Sequence, residues 1–268
     1  MLNTNEAKRK QYAQKEYNLK LRMERLLVPS LLVFFKRYGE DFEERYSALG
    51  ILPDTDLFQG KMKSLLQTHY DKVADVFSQR IVKEIGKPNN HDTILNSIGQ
   101  KNQLHHEFTA NDSSKIITDT TQKNAHSSIK KVIEGAAATG IVLNRAQIAK
   151  KARFDLLRTN TSRAPGIAIT ETQAPAEHAK QAEFNYLDFH NATINGVNIA
   201  DRKKQKMWMA VLDDKTRPAH MEADGQIVDF DALYTVGGEK LMYPRDTTNG
   251  ATVGNIVNCR CSSVPIIR

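Results

Sequence analysis

His220, Cys259 and Cys261 are the residues of this chain with the clearest chemistry. An imidazole nitrogen and thiolate sulphurs are the ligands that zinc accepts in tetrahedral geometry, and Asp213 would add an oxygen. The same side chains are the residue types of a thiolate nucleophile, its base and an orienting carboxylate. Both readings meet objections in the sequence. The Cys-x-Cys spacing is tighter than the usual gap of about two to four residues in zinc sites. Alternate residues of a strand point to opposite faces, which would separate the thiols. No nucleophile signature surrounds Cys259, and a disulfide across so short an offset is strained. The plain reading is two small buried thiols, with no catalytic residue and no cofactor. Zinc on His220, Cys259, Cys261 and Asp213 stays open as the lesser alternative.

Neighbouring charges read as a structural network. Asp213, Arg217 and His220 are spaced by four and three, but Pro218 predicts a turn into a short helix rather than one continuous helix. Asp213 or Asp214 would cap that helix, and Arg217 would form a forked pair with a carboxylate. Arg260, between the cysteines, would face away from them and pair with Asp213, Asp224 or Asp229. Trp208, flanked by Met207, Met209 and Val211, reads as a core anchor. His105, His106 and His178 read as isolated histidines on helical stretches. There is no phosphate loop, no HExxH and no paired CxxC.

These residues need elements to hold them. Leu19, Met23, Leu26, Leu27, Leu31, Phe34 and Tyr38 recur three or four apart, which predicts a helix that Pro29 kinks or divides. A second helix is predicted over 57–85, capped by Asp54 or Asp56, and ended by the Gly86-Lys87-Pro88-Asn89-Asn90 breaker. A third runs over 112–138 with Gly140 as its stop, and a fourth begins at Arg145. Pro165-Gly166 separates that one from a further helix over 168–187, which has Pro175 near its first turn. After Gly196 the pattern changes to an apolar run over 207–212, a short helix over 218–224, and strands over 226–230 and 259–266 separated by a glycine-rich loop. The fold class expected is α+β, mainly α, with a helical N-terminal body and a small loop-rich α+β C-terminal unit. Two domains are expected, 1–110 and 111–268.

Composition is that of an ordinary globular protein, 40% hydrophobic and 26% charged over 268 residues. The net charge of +7 favours nucleic acid or an acidic protein surface. No block of five like charges forms a dedicated basic arm. No apolar run of about 18 residues exists to span a membrane, since the candidate over 26–35 contains Pro29 and ends at Lys36 and Arg37. The polar N-terminus lacks a secretory pattern, and two cysteines fit a reducing compartment, so synthesis in the cytoplasm is expected.

The C-terminal half resembles the Mu F-like head morphogenesis family of tailed phages. Three features carry the likeness: the segment around Thr170 and Glu171; Trp208 followed by Asp213, Arg217, His220 and Gly225; and the closing Asn258-Cys259-Arg260-Cys261 before an apolar strand. The likeness covers about residues 115–268. Many members carry His-Pro before the closing motif where Ile256 and Val257 stand here, which counts against carrying a metal site over. The resemblance implies a low-copy minor capsid protein inside the head, bound to the portal during procapsid assembly. Scaffold or major capsid protein are further partners it implies, and the charge adds non-specific contact with double-stranded DNA. It implies no enzyme; a metal- or thiol-dependent hydrolase or nuclease is the alternative weighed against it. Some members carry an appended toxin domain, and none is expected with the chain stopping at Arg268.

Overall fold

The computed structural model describes residues 6–85, 91–186, 193–194, 197–198 and 203–267. Four long helices come first: α1 (Glu6–Leu49), α2 (Thr55–Ile85), α3 (His91–Ala138) and α4 (Arg145–Tyr186). Then follow β1 (Thr193–Ile194), β2 (Val197–Asn198), β3 (Lys204–Met209), α5 (Pro218–Glu222), β4 (Ile227–Asp229), β5 (Tyr234–Val236), β6 (Glu239–Leu241), α6 (Val253–Ile256) and β7 (Ser262–Ile267). The fold is α+β and mainly α, as expected. The breaker at 86–90 and the polar segment before Glu6 lie outside the described residues.

The helices are longer than their prolines suggest. α1 passes through Pro29 without division and extends about 66 Å at 1.5 Å per residue. Pro29 is exposed, so the hydrogen bond it removes opens toward solvent rather than the core. Pro165 is likewise exposed, and α4 continues through Pro165, Gly166 and Pro175 as one helix where two were expected. α3 begins well before residue 112 and stops as expected, with Gly140 at φ +67°. Asp54 Oδ1 accepts from Leu57 N at 3.0 Å to cap α2. Asn144 and Gln147 cap α4 reciprocally, side chain to backbone, at 2.9 and 3.0 Å.

The chain divides into two compact units, 1–24 with 69–106 and 169–268, and 25–68 with 107–168. The boundaries fall within α1 to α4, and residue 110 lies inside α3. In the second unit Phe34, Tyr38 and Phe58 meet edge to face, and Arg153 pairs with Glu43.

The first unit holds the sequence's chemistry. Its three-stranded antiparallel sheet runs β4-β3-β7, with Trp208 opposite Ser263 in the β3–β7 register. β5 and β6 form a separate hairpin. Trp208, Ala210, Ala223, Tyr234, Val236 and Leu241 pack with Cys259 and Cys261 into one buried cluster. No helix among the described residues is long and apolar enough to cross a membrane.

Candidate functional site

Trp208 is wholly buried, the core anchor its apolar neighbours suggest, and it supports His220. Its carbonyl accepts from Gly225 N at 2.8 Å and its amide donates to Gln226 O at 2.9 Å, so the chain leaving α5 is tied back to β3. Gly225 makes that return at φ +78°, a conformation that favours glycine. The His220 ring then stands edge-on to Trp208, 5.7 Å between centroids.

The cysteines reach the same place by another route. α6 ends at Ile256, and Asn258 turns the chain at φ +56°, a left-handed conformation that asparagine tolerates better than most residues. Cys259 N donates back to Ile256 O at 3.3 Å. The turn falls at 257–258, residues 259–261 follow it without regular structure, and β7 begins only at Ser262. The expected strand over 259–266, with thiols on opposite faces, is corrected. His220 Nδ1 lies 3.4 Å from Cys261 Sγ and 3.6 Å from Cys259 Sγ. All three residues are buried, and their ligand atoms lie within 4.8 Å of one another. Both thiols are free, as the geometry argument against a disulfide requires.

A second layer fixes the imidazole. Asn255 Nδ2 donates to Val236 O at 3.1 Å and to Glu239 Oε2 at 2.7 Å. Its Oδ1 consequently faces His220 Nε2, 3.3 Å away, which assigns the proton to Nε2 and leaves Nδ1 as an acceptor aimed at the sulphurs. The hydrogen bond from Cys261 holds the Cys259 thiol well below its ordinary range, while the same bond and burial push Cys261 well above. Cys259 is thus the more thiolate-like sulphur.

Asp213 stands apart from this cluster. Arg260 takes Asp213 of its three expected partners and binds it with both prongs, Nη1 to Oδ2 at 2.5 Å and Nη2 to Oδ1 at 2.6 Å. That pairing holds the Asp213 carboxyl far below the usual carboxylate range. Its place in the ligand set is therefore corrected. Nor does Asp213 or Asp214 cap α5: Arg217 is the N-cap, without a side-chain cap bond, and Asp213 instead accepts from Lys215 N and Thr216 Oγ1. Arg217 forms no forked carboxylate pair but donates to the carbonyl of Val257.

α4 completes the site from the other side. From Glu171 to Lys180 every side chain but His178 is buried. Thr170 Oγ1 lies 3.5 Å from Asn258 N, and Glu171 accepts from Tyr70. Gln173 and Lys20 both donate to the Cys261 carbonyl. Glu177 accepts from Lys20 at 2.6 Å, Lys180 at 2.8 Å and Ser263 N at 2.9 Å, and Lys180 also pairs with Glu16. Burial alone would raise the Glu16 carboxyl, but Lys180, Lys20 and Arg80 bring it down to about 2. Burial likewise disfavours the Lys20 ammonium, and Glu177 with Glu16 more than compensates. Lys20, Glu177, Lys180 and Asn255 were not singled out by sequence reasoning. Their polar character resembles that of a solvated surface, and the contacts that join the helices, Lys20 to Glu177 and Lys180 to Glu16, are distant in sequence.

The histidines on the helices are not isolated. His105 and His178 stack with centroids 3.6 Å apart, and His106 Nδ1 lies 2.9 Å from Asp71 Oδ1. Burial with repulsion from His106 brings His105 down to about 4, and burial with repulsion from His105 and His106 brings His178 to about 3.

No family profile and no solved structure matches the chain. It is 24% identical over 188 residues to NAD(+)--arginine ADP-ribosyltransferase EFV of Enterococcus faecalis, a match taking in 66% of this chain and 32% of that protein. The chain thus spans about a third of the relative's length. The expectation that the chain is no enzyme is corrected on this finding, because the relative it resembles is named for an enzymatic activity.

Proposed function

We propose that this chain is a phage minor head protein, a low-copy component that sits inside the head and binds the portal ring during procapsid assembly. The observation that carries the reading is the convergence of the scattered head-protein motif on one clasp. Thr170 meets Asn258, Asp213 grips Arg260, Arg217 holds Val257, and His220 meets Cys259 and Cys261. Residues separated by up to about ninety positions are tied together as a motif of a single folded module requires. The charge of +7 adds weak, salt-dependent contact with packaged DNA. Co-expression with a tailed-phage portal protein tests the reading: a complex that co-migrates through size exclusion supports it. Separate elution, together with infectious particles from a deletion strain, would end it.

A second reading rests on the Enterococcus faecalis relative: transfer of ADP-ribose from NAD+ to arginine side chains. Labelled NAD+ incubated with the purified chain and an arginine-rich acceptor decides it. Label on the acceptor establishes transfer, and an unlabelled acceptor removes the reading for this chain.

A further inference from the structure

We propose that His220, Cys259 and Cys261 bind one zinc ion through Nδ1 and the two sulphurs, with a water as the fourth ligand. With metal–sulphur bonds of about 2.3 Å and a metal–nitrogen bond of about 2.0–2.1 Å, tetrahedral angles place nitrogen and sulphur about 3.5–3.6 Å apart. The observed separations are 3.4 and 3.6 Å. Two sulphurs converge on one nitrogen lone pair, and a hydrogen-bonded arrangement uses only one thiol proton there. A metal uses all three atoms at once.

The surroundings are those of a metal ligand set. Asn255 holds the Nε2 proton and so presents Nδ1, the role that outer partners play for metal-bound histidines. The Trp208 indole Nε1 is buried and has no hydrogen-bond partner among the described residues. A metal-bound thiolate, richer in charge than a thiol, is the acceptor that this orphaned N–H needs. Beside the three ligands lies a cavity of about 10 Å³, bordered by Thr216, Arg217 and Asn258, which is room for about one water. No carboxylate competes for it, since both Asp213 oxygens are held by Arg260. Bound zinc would fasten the 259–261 segment to α5 before β7 enters the sheet.

This inference is independent of the portal reading and of the transferase reading. The full chain, produced without a polyhistidine tag in zinc-supplemented medium and kept reduced, is assayed for metal by elemental analysis. Zinc is then exchanged for Co2+ and the visible spectrum recorded. One zinc per chain is expected, with the d–d bands of tetrahedral cobalt and a sulphur-to-cobalt charge-transfer band that weakens in Cys261→Ser and shifts in His220→Asn. Chelation should lower the Tm. Asp213→Asn should keep full zinc occupancy. A folded wild-type chain with two titratable thiols, no zinc, no cobalt–thiolate bands and a Tm indifferent to chelator overturns the proposal. So does metal that stays with the Cys259→Ser, Cys261→Ser and His220→Asn variants. Should those variants fail to fold, the wild-type stoichiometry and cobalt spectrum decide it alone.

Discussion

Asp213 and Arg260 form a two-pronged ion pair, at 2.5 and 2.6 Å, between the loop entering α5 and the middle of the Cys-x-Cys segment. The pair holds the middle residue of the Cys-x-Cys segment while His220 meets the sulphurs on either side of it. Only a planar fork makes both bonds, and lysine does not replace it. The pair is partly exposed, which places its coupling near the range of about 1–2 kcal/mol for charge-assisted bonds rather than that of a buried pair. A double-mutant cycle on Asp213→Ala and Arg260→Ala, read by urea denaturation, should return that coupling. Arg260→Lys should lose most of it. Additive single losses would show that the two side chains are neighbours without being partners.

Glu177 should be the most sensitive charged position in the first unit. Its side chain accepts from Lys20, Lys180 and the Ser263 amide, joining α1, α4 and β7 where water does not reach. Deleting one member of a buried ionic cluster leaves its partners charged and unpaired, at a cost of about 3–5 kcal/mol. Glu177→Ala and Lys20→Met should each lose about that much, measured by chemical denaturation. Replacing Glu16, Lys20, Glu177 and Lys180 together with apolar residues of similar size should cost less than the sum of the single losses, because the four charges leave together and only Arg80 and the Ser263 amide lose a partner. Single losses below about 1 kcal/mol, the range of exposed pairs, would mean the cluster is hydrated in solution.

The sequence made these features visible to different degrees. The apolar repeat through Leu27, Leu31, Phe34 and Tyr38 announces a helix, and all four are buried. Pro29 and Pro165 misled because a proline's effect depends on whether its face meets solvent, which a one-dimensional pattern does not encode. His220, Cys259 and Cys261 were legible by type, but their convergence was not: it depends on Asn258 turning left-handed and on β7 starting at Ser262, three residues later than expected. Asn258 carried that signal in principle, since asparagine is enriched in left-handed backbone. Lys20 and Lys180 were illegible for another reason. A buried lysine is identified by its partner, and Glu177 stands 157 residues from Lys20. The His105–His178 stack was hidden by the same kind of separation.

Acid should destabilise the chain well before its carboxylates are neutralised. Burial brings His69 and His105 down to about 4 and His178 to about 3, against an ordinary value of 6.5. As pH falls, the unfolded chain therefore takes up protons first. The stability tied to these neutral rings is complete above about pH 6.5 and is lost between there and the folded-state values. Glu183 acts in the opposite sense: burial raises it to about 7, so its contribution is complete below its ordinary 4.5 and declines as pH rises through 7. Three histidines with shifts of similar size outweigh one carboxyl. The Tm should accordingly fall between pH 6.5 and 4.5, before the Glu16 contribution begins to fade toward its value of about 2. His178→Phe keeps a ring against His105 without its charge, and should flatten that fall. Glu183→Gln should steepen it and raise the Tm at pH 8. A Tm flat from pH 7 to 4.5 in both the wild-type chain and Glu183→Gln would mean that the stacked imidazoles are open to water.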